Sequence, residues 1–206
     1  MNVKLLTSTE ALHDMENFAA LAYLTCHANT DKEYVPHEKL ERAIKDRHDS
    51  ILEHINLTFS IKGLSRACLQ ELARHRHISL SVESTRHTLK KKLKGDLLIE
   101  PLLDIRCPFF KTIDGKEWSF PALFAFALQK IKDDMPSDEL KYYMPEFWPT
   151  NLIITLNIRE FRHILKLRTA PAALKEFRIL ARSMFHKVPD EFKYLLQDCL
   201  HKEDNA

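Results

Sequence analysis

Apolar and polar residues alternate most regularly between residues 55 and 62. Leu57, Phe59 and Ile61 fall on every second position, which is the period of a half-buried strand, so we predict a strand with these side chains facing the core. Gly63 follows directly and is predicted to end the strand. Further strands are predicted at residues 2–6, 78–82 and 151–156.

Apolar residues spaced three and four positions apart predict helices over much of the remaining chain. Ala11, Met15 and Phe18, for example, share one face of a helix predicted at residues 9–25. Strands and helices follow one another without regular alternation, which predicts one α/β domain of the α+β type along the whole chain. The predicted helices cover residues 9–25, 36–46, 65–73, 120–132, 137–143, 157–166, 170–187 and 189–200.

Two stretches in the middle of the chain lack either period. Residues 97–118 are predicted to be irregular and have no assigned role, with a hairpin near Asp114-Gly115. The lysine-rich run at residues 90–94 is open to two interpretations, a solvated face and a strip that binds phosphate.

Composition excludes several classes of protein. The 206 residues are 45% hydrophobic, which suits one ordinary domain. With only 3 Gly the chain contains no Gly-x-Gly-x-x-Gly or phosphate-loop pattern, so Rossmann and P-loop folds are not expected. No apolar run approaches the roughly 20 residues that span a bilayer, and the first residues do not resemble a signal peptide. The 4 Cys form no Cys-x-x-Cys pair, so we expect reduced thiols and a cytoplasmic location.

Basic side chains gather where predicted elements end. Arg74, His75 and Arg76 follow one helix, and Ser84 and Arg86 follow the next extended segment. Arginine binds phosphate and carboxylate through two parallel hydrogen bonds, so we predict a ligand with several negative charges, such as a nucleotide, a dinucleotide cofactor or a nucleic acid. The simpler alternative is that cations at a helix C-terminus only stabilise the helix dipole. A second group of donors is Arg159, Arg162, His163 and Arg168.

The same region allows other chemistries with weaker signatures. Ser84 beside a histidine could act as a nucleophile, but the Gly-x-Ser-x-Gly turn is missing. A nucleic-acid strip over residues 74–94 is opposed by a net charge of only +2 and by the lack of an aromatic series. A metal site is also conceivable, although the helical His-Glu-x-x-His spacing is absent and no metal ligand is predicted. Its histidines would be His48, His54, His75 and His77.

Arg74-His75-Arg76, separated by seven residues from Ser84, resembles the signature of the flavin-dependent thymidylate synthases, the ThyX family. The order and spacing of family elements hold over about residues 50–180. The other segments that resemble family elements are residues 50–54 with 57–59, residues 141–145, Asn157-Ile158-Arg159 and Leu165-Lys166-Leu167-Arg168.

The resemblance implies an enzyme that converts dUMP to dTMP. It implies 5,10-methylenetetrahydrofolate as carbon donor, FAD as redox cofactor and NADPH as electron source. It also implies an α+β fold around an antiparallel or mixed sheet, and a homotetramer with active sites between subunits, without membrane or nucleic-acid partners. Because reduced flavin supplies hydride, such an enzyme needs no cysteine nucleophile.

The resemblance also implies a role for each matching residue. Arg168 would face the uracil ring as the catalytic residue, because a cation in a dry site favours the N3-deprotonated ring. The residues that would contact the flavin are Ser50, Arg74, His75, Arg76, Asn157, Arg159 and His163, with His48 near flavin and folate. Those that would bind the nucleotide are Gln70, Glu71, Arg74, Ser84, Arg86, Lys141 and Arg168.

Several positions depart from the family pattern. Glu71 stands where the family often has Gln, although Gln70 is adjacent, and Lys141 replaces an Arg. A family member that binds nucleotide or nucleic acid without catalysis is therefore the alternative function. The remaining departures are Val82 for an acidic residue, His87 for Tyr and His163 for Asn.

Overall fold

Antiparallel strands form the sheet that carries the site. The strands are β1 (Asn2–Leu5), β2 (Asn56–Ser65), β3 (Ile78–Val82), β4 (Phe110–Lys111), β5 (Glu117–Trp118) and β6 (Pro149–Asn157). Four of them make one sheet in the order β1-β2-β6-β3, in which every neighbouring pair is antiparallel. Leu57 pairs with Leu156 and Phe59 with Ile154, and all four side chains are buried. The strand predicted at residues 55–62 and its inward face are thus confirmed.

The structure is a computed structural model that describes residues 1–29, 33–94, 110–111, 117–118, 129, 135–144 and 146–202. Residues 1–82 and 149–206 form one compact unit, the larger, and residues 83–148 form the smaller. The larger unit contains the four-stranded sheet. In the smaller unit β4 pairs with β5 on either side of the predicted hairpin turn, which itself lies outside the described residues. The predicted helix 120–132 also lies outside them, apart from Gln129.

Gly63 does not end β2, contrary to the prediction. The strand continues to Ser65 through a bulge, where the register shifts between Lys62 and Leu64. Gly63 has a φ of +75°, which side-chain-bearing residues rarely adopt. Its N–H donates to Oδ1 of Asn151 at 3.1 Å, so the bulged backbone keeps a hydrogen-bond partner.

Up to residue 72 the helices follow the predicted segments closely. Among the described residues, no helix is both long enough and apolar enough to cross a membrane. The helices are α1 (Thr9–Cys26), α2 (Pro36–Lys45), α3 (Arg66–Leu72), α4 (Thr85–Lys94), α5 (Ser137–Leu140), α6 (Ile158–Arg168) and α7 (Lys175–Lys187). Short 3-10 segments lie at Asp49–His54, Lys141–Tyr143, Asp190–Leu195 and Gln197–Cys199.

Three helical segments differ from the prediction. The helix predicted from residue 170 begins only at Lys175, because Ala170 precedes Pro171 and the α conformation is disfavoured there. Residues 189–200 form 3-10 segments rather than an α-helix, because the buried pairs in this segment are three residues apart, the repeat of a 3-10 turn. The buried pairs are Phe192 with Leu195 and Leu196 with Cys199. The third difference is helix α4, which was not predicted.

Side-chain caps fix the starts of α3 and α6, the two helices that flank the site. Ser65 Oγ accepts the N–H of Cys68 at 3.0 Å, and the Ser65 N–H donates to Glu176 of α7 at 2.9 Å. The Ser65 hydroxyl donates to the other oxygen of the same carboxylate. Asn157 Oδ1 accepts the N–H of Glu160 at 2.8 Å. Both helices therefore leave the sheet in a fixed direction.

Replacing Phe59 by Ala is expected to lower the free energy of unfolding by about 3–5 kcal/mol, because the ring is fully buried and contacts Phe161 at a centroid distance of 5.9 Å. Phe18→Ala removes the same atoms from a side chain that is 59% exposed, and should change stability by about 0.5 kcal/mol or less. Urea unfolding measures both. Equal losses in the two variants would contradict this core.

Candidate functional site

Strand register brings the two predicted donor groups together. Ile78 of β3 pairs with Leu156 of β6 in an antiparallel arrangement. The residues just before Ile78 therefore lie beside those just after Leu156. The connection that carries Arg74, His75 and Arg76 thus lies against the start of α6.

A buried histidine joins the two groups. His75 is 6% exposed, and its Nδ1 lies 2.9 Å from Oε1 of Glu160. Its Nε2 lies 3.1 Å from Nε of Arg168. An arginine Nε–H can only donate, so Nε2 is the acceptor, and the ring proton is on Nδ1 and is donated to Glu160. The contacts therefore define one neutral tautomer of His75.

The electrostatic surroundings also favour the neutral ring. Burial lowers the pKa of His75 below its ordinary value, and electrostatic interaction with the neighbouring Arg168 and His163 lowers it further. The Glu160 carboxylate raises the pKa but does not outweigh these effects. His75 therefore stays uncharged at neutral pH while lying between a carboxylate and a guanidinium.

Arg168 is held from three directions. Besides the contact with His75, its Nη1 donates to Oε2 of Glu71 at 2.9 Å. The guanidinium carbon lies 4.8 Å from the ring centroid of Phe177, a cation–π distance. The side chain is 18% exposed, so the cation is fixed in orientation and only partly hydrated.

Two adjoining clefts open at this network. The first has a volume of about 580 Å³ and the second about 470 Å³. Both are lined by His77, Glu160 and His163, so they share a wall. The other residues that line the first cleft are Arg74, His75, Arg76, Leu167, Arg168, Ala170, Ala172 and Ala173. Those that line the second are Asp49, Glu53, Asn157, Arg159, Arg162 and Lys166.

Most of the residues predicted to contact a flavin line one or both of these clefts. Arg74 and Arg76 are exposed in the first cleft, and Asn157 and Arg159 line the second. Arg159 forms a 2.5 Å ion pair with Glu53. The first cleft thus combines exposed cations with small alanines, and the second adds hydrogen-bonding groups.

Two predicted flavin contacts lie elsewhere in the larger unit. Ser50 is exposed on the 3-10 segment Asp49–His54, and His48 precedes that segment. The His48 ring packs against Tyr23 and His27, at centroid distances of 5.8 and 6.1 Å. Neither Ser50 nor His48 lines the two clefts.

Three predicted nucleotide-binding residues belong to the smaller unit. Ser84 is exposed just before α4, and its carbonyl accepts the N–H of Thr88 at 3.1 Å. Arg86 donates from Nε to Asp138 of α5 at 2.6 Å. Helix α4 packs against α5 and against the segment that begins at Lys141, so the unit places Arg86 and Lys141 on neighbouring elements.

The remaining predicted nucleotide contacts lie on α3, and two positions that depart from the family pattern lie on β3 and α4. Gln70 is exposed on α3 beside Glu71, whose carboxylate holds Arg168 and lies 3.5 Å from Nη1 of Arg74. Val82 is 38% exposed at the end of β3, and His87 is exposed on α4.

The structure brings together a group of possible metal ligands that differs from the group considered in the sequence. In the part of the chain that the structure describes, the ligand atoms of His75, Glu160 and His163 all lie within 4.8 Å of one another, and His48 and His54 are not part of the group. Two histidines and a carboxylate suit a transition metal. However, the Arg168 cation 3.1 Å from His75 repels a divalent ion, so the group is better suited to hydrogen bonding.

The sequence analysis gave Arg162 the wrong role and missed Glu160. Arg162, counted among the ligand donors, is only 5% exposed and binds both carboxylate oxygens of Asp198 at 2.6 Å. It therefore fixes the C-terminal segment to α6. Glu160 was missed, although Asn157-x-x-Glu160 has the spacing of a helix-capping pair and so pointed only to a helix start.

The two buried cysteines, Cys68 and Cys199, provide no activated thiol. Burial raises the pKa of Cys68 to about 12 and that of Cys199 to about 11. Thiolate is the nucleophilic form, so these two residues are unreactive at neutral pH.

Comparisons with known proteins agree on one family. A family model described as thymidylate synthase complementing protein (Thy1) matches residues 4–192. A flavin-dependent thymidylate synthase of Campylobacter jejuni (strain RM1221) is 38% identical over 182 residues, covering 86% of this chain and 85% of that protein. One of Helicobacter pylori (strain ATCC 700392 / 26695) is 40% identical over 162 residues, covering 75% and 77%.

A solved structure is also similar. The crystal structure of flavin-dependent thymidylate synthase ThyX from Helicobacter pylori complexed with FAD and dUMP matches with a TM-score of 0.75 and 32% identity. The match covers 98% of this chain and 100% of that chain. The α+β fold predicted from the sequence is thereby confirmed.

The lowered pKa of His75 predicts a loss of stability on acidification. The folded His75 ring faces Arg168, Glu160 and His163. Below about pH 6.5 this histidine binds a proton in the unfolded chain but not in the folded protein. The free energy of unfolding therefore decreases as the pH is lowered from about 6.5 toward the folded pKa of His75. His75→Gln keeps one donor and one acceptor but cannot titrate. Urea unfolding between about pH 7.5 and 5 should therefore give a steeper decline for the wild type, and parallel profiles would contradict this assignment.

Proposed function

This chain belongs to the family of flavin-dependent thymidylate synthases, and on that premise we propose that it methylates dUMP to dTMP at the clefts beside Arg168. The family and the enzyme class predicted from the sequence, an FAD-dependent thymidylate synthase, are confirmed by the comparisons. We propose 5,10-methylenetetrahydrofolate as the carbon donor and NADPH as the electron source, as the family resemblance implies.

The observation that carries the assignment is the fixed guanidinium of Arg168. Its Nε and Nη1 are bound by His75 and Glu71, and no described residue is a partner of Nη2. A preoriented N–H group and positive charge beside a cleft stabilise an anion as it forms. We assign Arg168 the role of lowering the pKa of uracil N3, which favours the deprotonated, more reactive ring.

The residues of the clefts fit a flavin cofactor. Arg74 and Arg76 are exposed donors suited to a diphosphate, and Ala170 and Ala172 leave room for a flat ring. The second cleft shares a wall with the first, so a long dinucleotide can extend from one to the other, where Arg159 offers a further donor. Bound FAD would supply the hydride, while the protein side chains bind, orient and exclude water.

The other nucleotide contacts follow the family resemblance. We assign the phosphate of dUMP to Ser84, Arg86 and Lys141. Two of these are cations, and the present ion pair of Arg86 with Asp138 joins two exposed side chains, so a phosphate can replace the carboxylate at low cost.

We also propose that the enzyme is a homotetramer whose sites are shared between subunits. His48 and Ser50 are flavin contacts by resemblance but do not line the clefts of their own chain, which is expected if they serve another subunit's site. The family match spans residues of both compact units, which supports one functional domain over residues 1–206. A cytoplasmic location stays a prediction.

Arg168→Ala is expected to reduce dTMP formation by at least about 100-fold while the protein still folds, because the cation beside the uracil ring is lost. Arg168→Lys should retain part of the activity, since the charge remains without the second donor. Arg42→Ala is the matched control, because Arg42 is 73% exposed on α2 and pairs only with Asp46 among the described residues. Wild-type turnover in Arg168→Ala would overturn the role given to Arg168.

Purified protein mixed with FAD and desalted should retain the flavin absorption band, and its NADPH oxidation should respond to dUMP. Arg74→Ala should weaken flavin binding by about tenfold, as expected for one lost hydrogen bond to a charged group. Arg42→Ala again serves as the control. A colourless wild-type protein, even with dUMP present, would favour the alternative of a binding protein without catalysis.

A further inference from the structure

We propose that Glu160 is a positioning residue of this enzyme, which fixes the tautomer of His75 and through it the orientation of Arg168. The inference rests on the proposed role of Arg168, because it concerns how that side chain is held. Glu160 lines both clefts, but the role assigned to it here is to hold His75 and not to bind the uracil ring or the flavin.

The three side chains form one continuous series of hydrogen bonds. Glu160 Oε1 lies 2.9 Å from His75 Nδ1, and His75 Nε2 lies 3.1 Å from Arg168 Nε. The side chains of His75 and Glu160 are 4% and 8% exposed. Because water has little access to this contact, it cannot readily replace Glu160 as the partner of Nδ1.

Only one state of the imidazole satisfies both neighbours. With the proton on Nε2 instead, the ring N–H would point at the N–H of Arg168, and the lone pair of Nδ1 would face the Glu160 carboxylate. A doubly protonated ring would satisfy Glu160 but would still oppose Arg168. Since the partner of one ring nitrogen determines what the other can do, Glu160 selects the acceptor state of Nε2.

Arg168 depends on that acceptor for its orientation. Its second anchor, Glu71, is 33% exposed and also lies 3.5 Å from Nη1 of Arg74. Without the His75 contact the guanidinium would keep its charge, its contact with Glu71 and its packing on Phe177, but it would lose the hydrogen bond that fixes the direction of its Nε–H. Loss of Glu160 should therefore affect the chemical step more than the binding of dUMP.

The fold gives Glu160 this position independently of helix capping. Its backbone N–H binds Oδ1 of Asn157 at 2.8 Å, so the start of α6 does not require the carboxylate. Replacing the side chain by Gln keeps its size and leaves the backbone cap in place. The amide can accept from Nδ1–H through its oxygen or donate to Nδ1 through its nitrogen, so Gln no longer restricts His75 to the Nδ1–H tautomer and allows the Nε2–H tautomer that Arg168 opposes.

The test compares Glu160→Gln and Glu160→Asp with wild type. Glu41→Gln is the matched control, because Glu41 also lies beside a histidine, with 3.3 Å to Nε2 of His37, but is 58% exposed. Nitrogen NMR of the ligand-free protein reports which ring nitrogen of His75 carries the proton and how fast the Nε–H of Arg168 exchanges with solvent. Steady-state kinetics then gives kcat and KM for dUMP.

In wild type we expect the Nδ1–H tautomer and a protected Arg168 Nε–H. Glu160→Gln should shift the ring toward Nε2–H, speed the exchange of the Arg168 Nε–H by about tenfold and lower kcat by about 10–100-fold, with KM for dUMP changed less. Glu160→Asp should recover part of these three effects, and Glu41→Gln should match wild type.

An Nε2–H or doubly protonated His75 in wild type would overturn the proposal, and this measurement needs no variant to fold. An unchanged kcat in a folded Glu160→Gln protein would overturn it as well. If wild type instead shows the expected tautomer and protection but makes no dTMP, the proposed function fails, while the support of Arg168 by Glu160 is upheld by the spectra.

Discussion

The site depends on a neutral imidazole held between two opposite charges. An ionised carboxylate or guanidinium placed in a poorly hydrated position is unfavourable unless each receives hydrogen bonds. His75 satisfies both at once, because it donates to Glu160 and accepts from Arg168. Protonation of the ring would break this arrangement, since Arg168 can only donate. Burial and the Arg168 charge both lower the pKa of His75, so the neutral ring and the hydrogen-bond geometry support each other.

The sheet register makes this contact possible. Residues 75 and 160 are distant in sequence, and they meet because β3 begins opposite Leu156, just before β6 gives way to α6. A register shift of one residue would turn Ile78 and Leu80 away from the core, so the buried face of the sheet opposes it. Core packing that has no chemical role of its own therefore sets the distances among the charged side chains.

The local patterns of the sequence predicted the sheet better than the site. Alternation around Phe59 specified a strand and its buried face, and the donor groups around His75 and Arg168 were both recognised. Which donors are available could not be read from the pattern. Arg162 resembles Arg159 in the sequence, yet its guanidinium is hydrogen-bonded to Asp198, a partner 36 residues away. Such pairs depend on tertiary contacts, which neither spacing nor composition records.

Three arginines that line the clefts, Arg74, Arg159 and Arg168, differ in burial, and the difference has a functional consequence. Arg74 and Arg159 are 74% and 54% exposed, so salt screens them and their side chains must lose conformational freedom on binding a ligand. Such groups suit the capture of phosphates, whose charge is the same before and after the reaction. Arg168 is 18% exposed and already oriented, so it loses little freedom when a ligand arrives. A preoriented cation stabilises a charge that develops during the reaction more than one already present. Among these three arginines, the difference in burial therefore separates the two suited to binding from the one suited to catalysis.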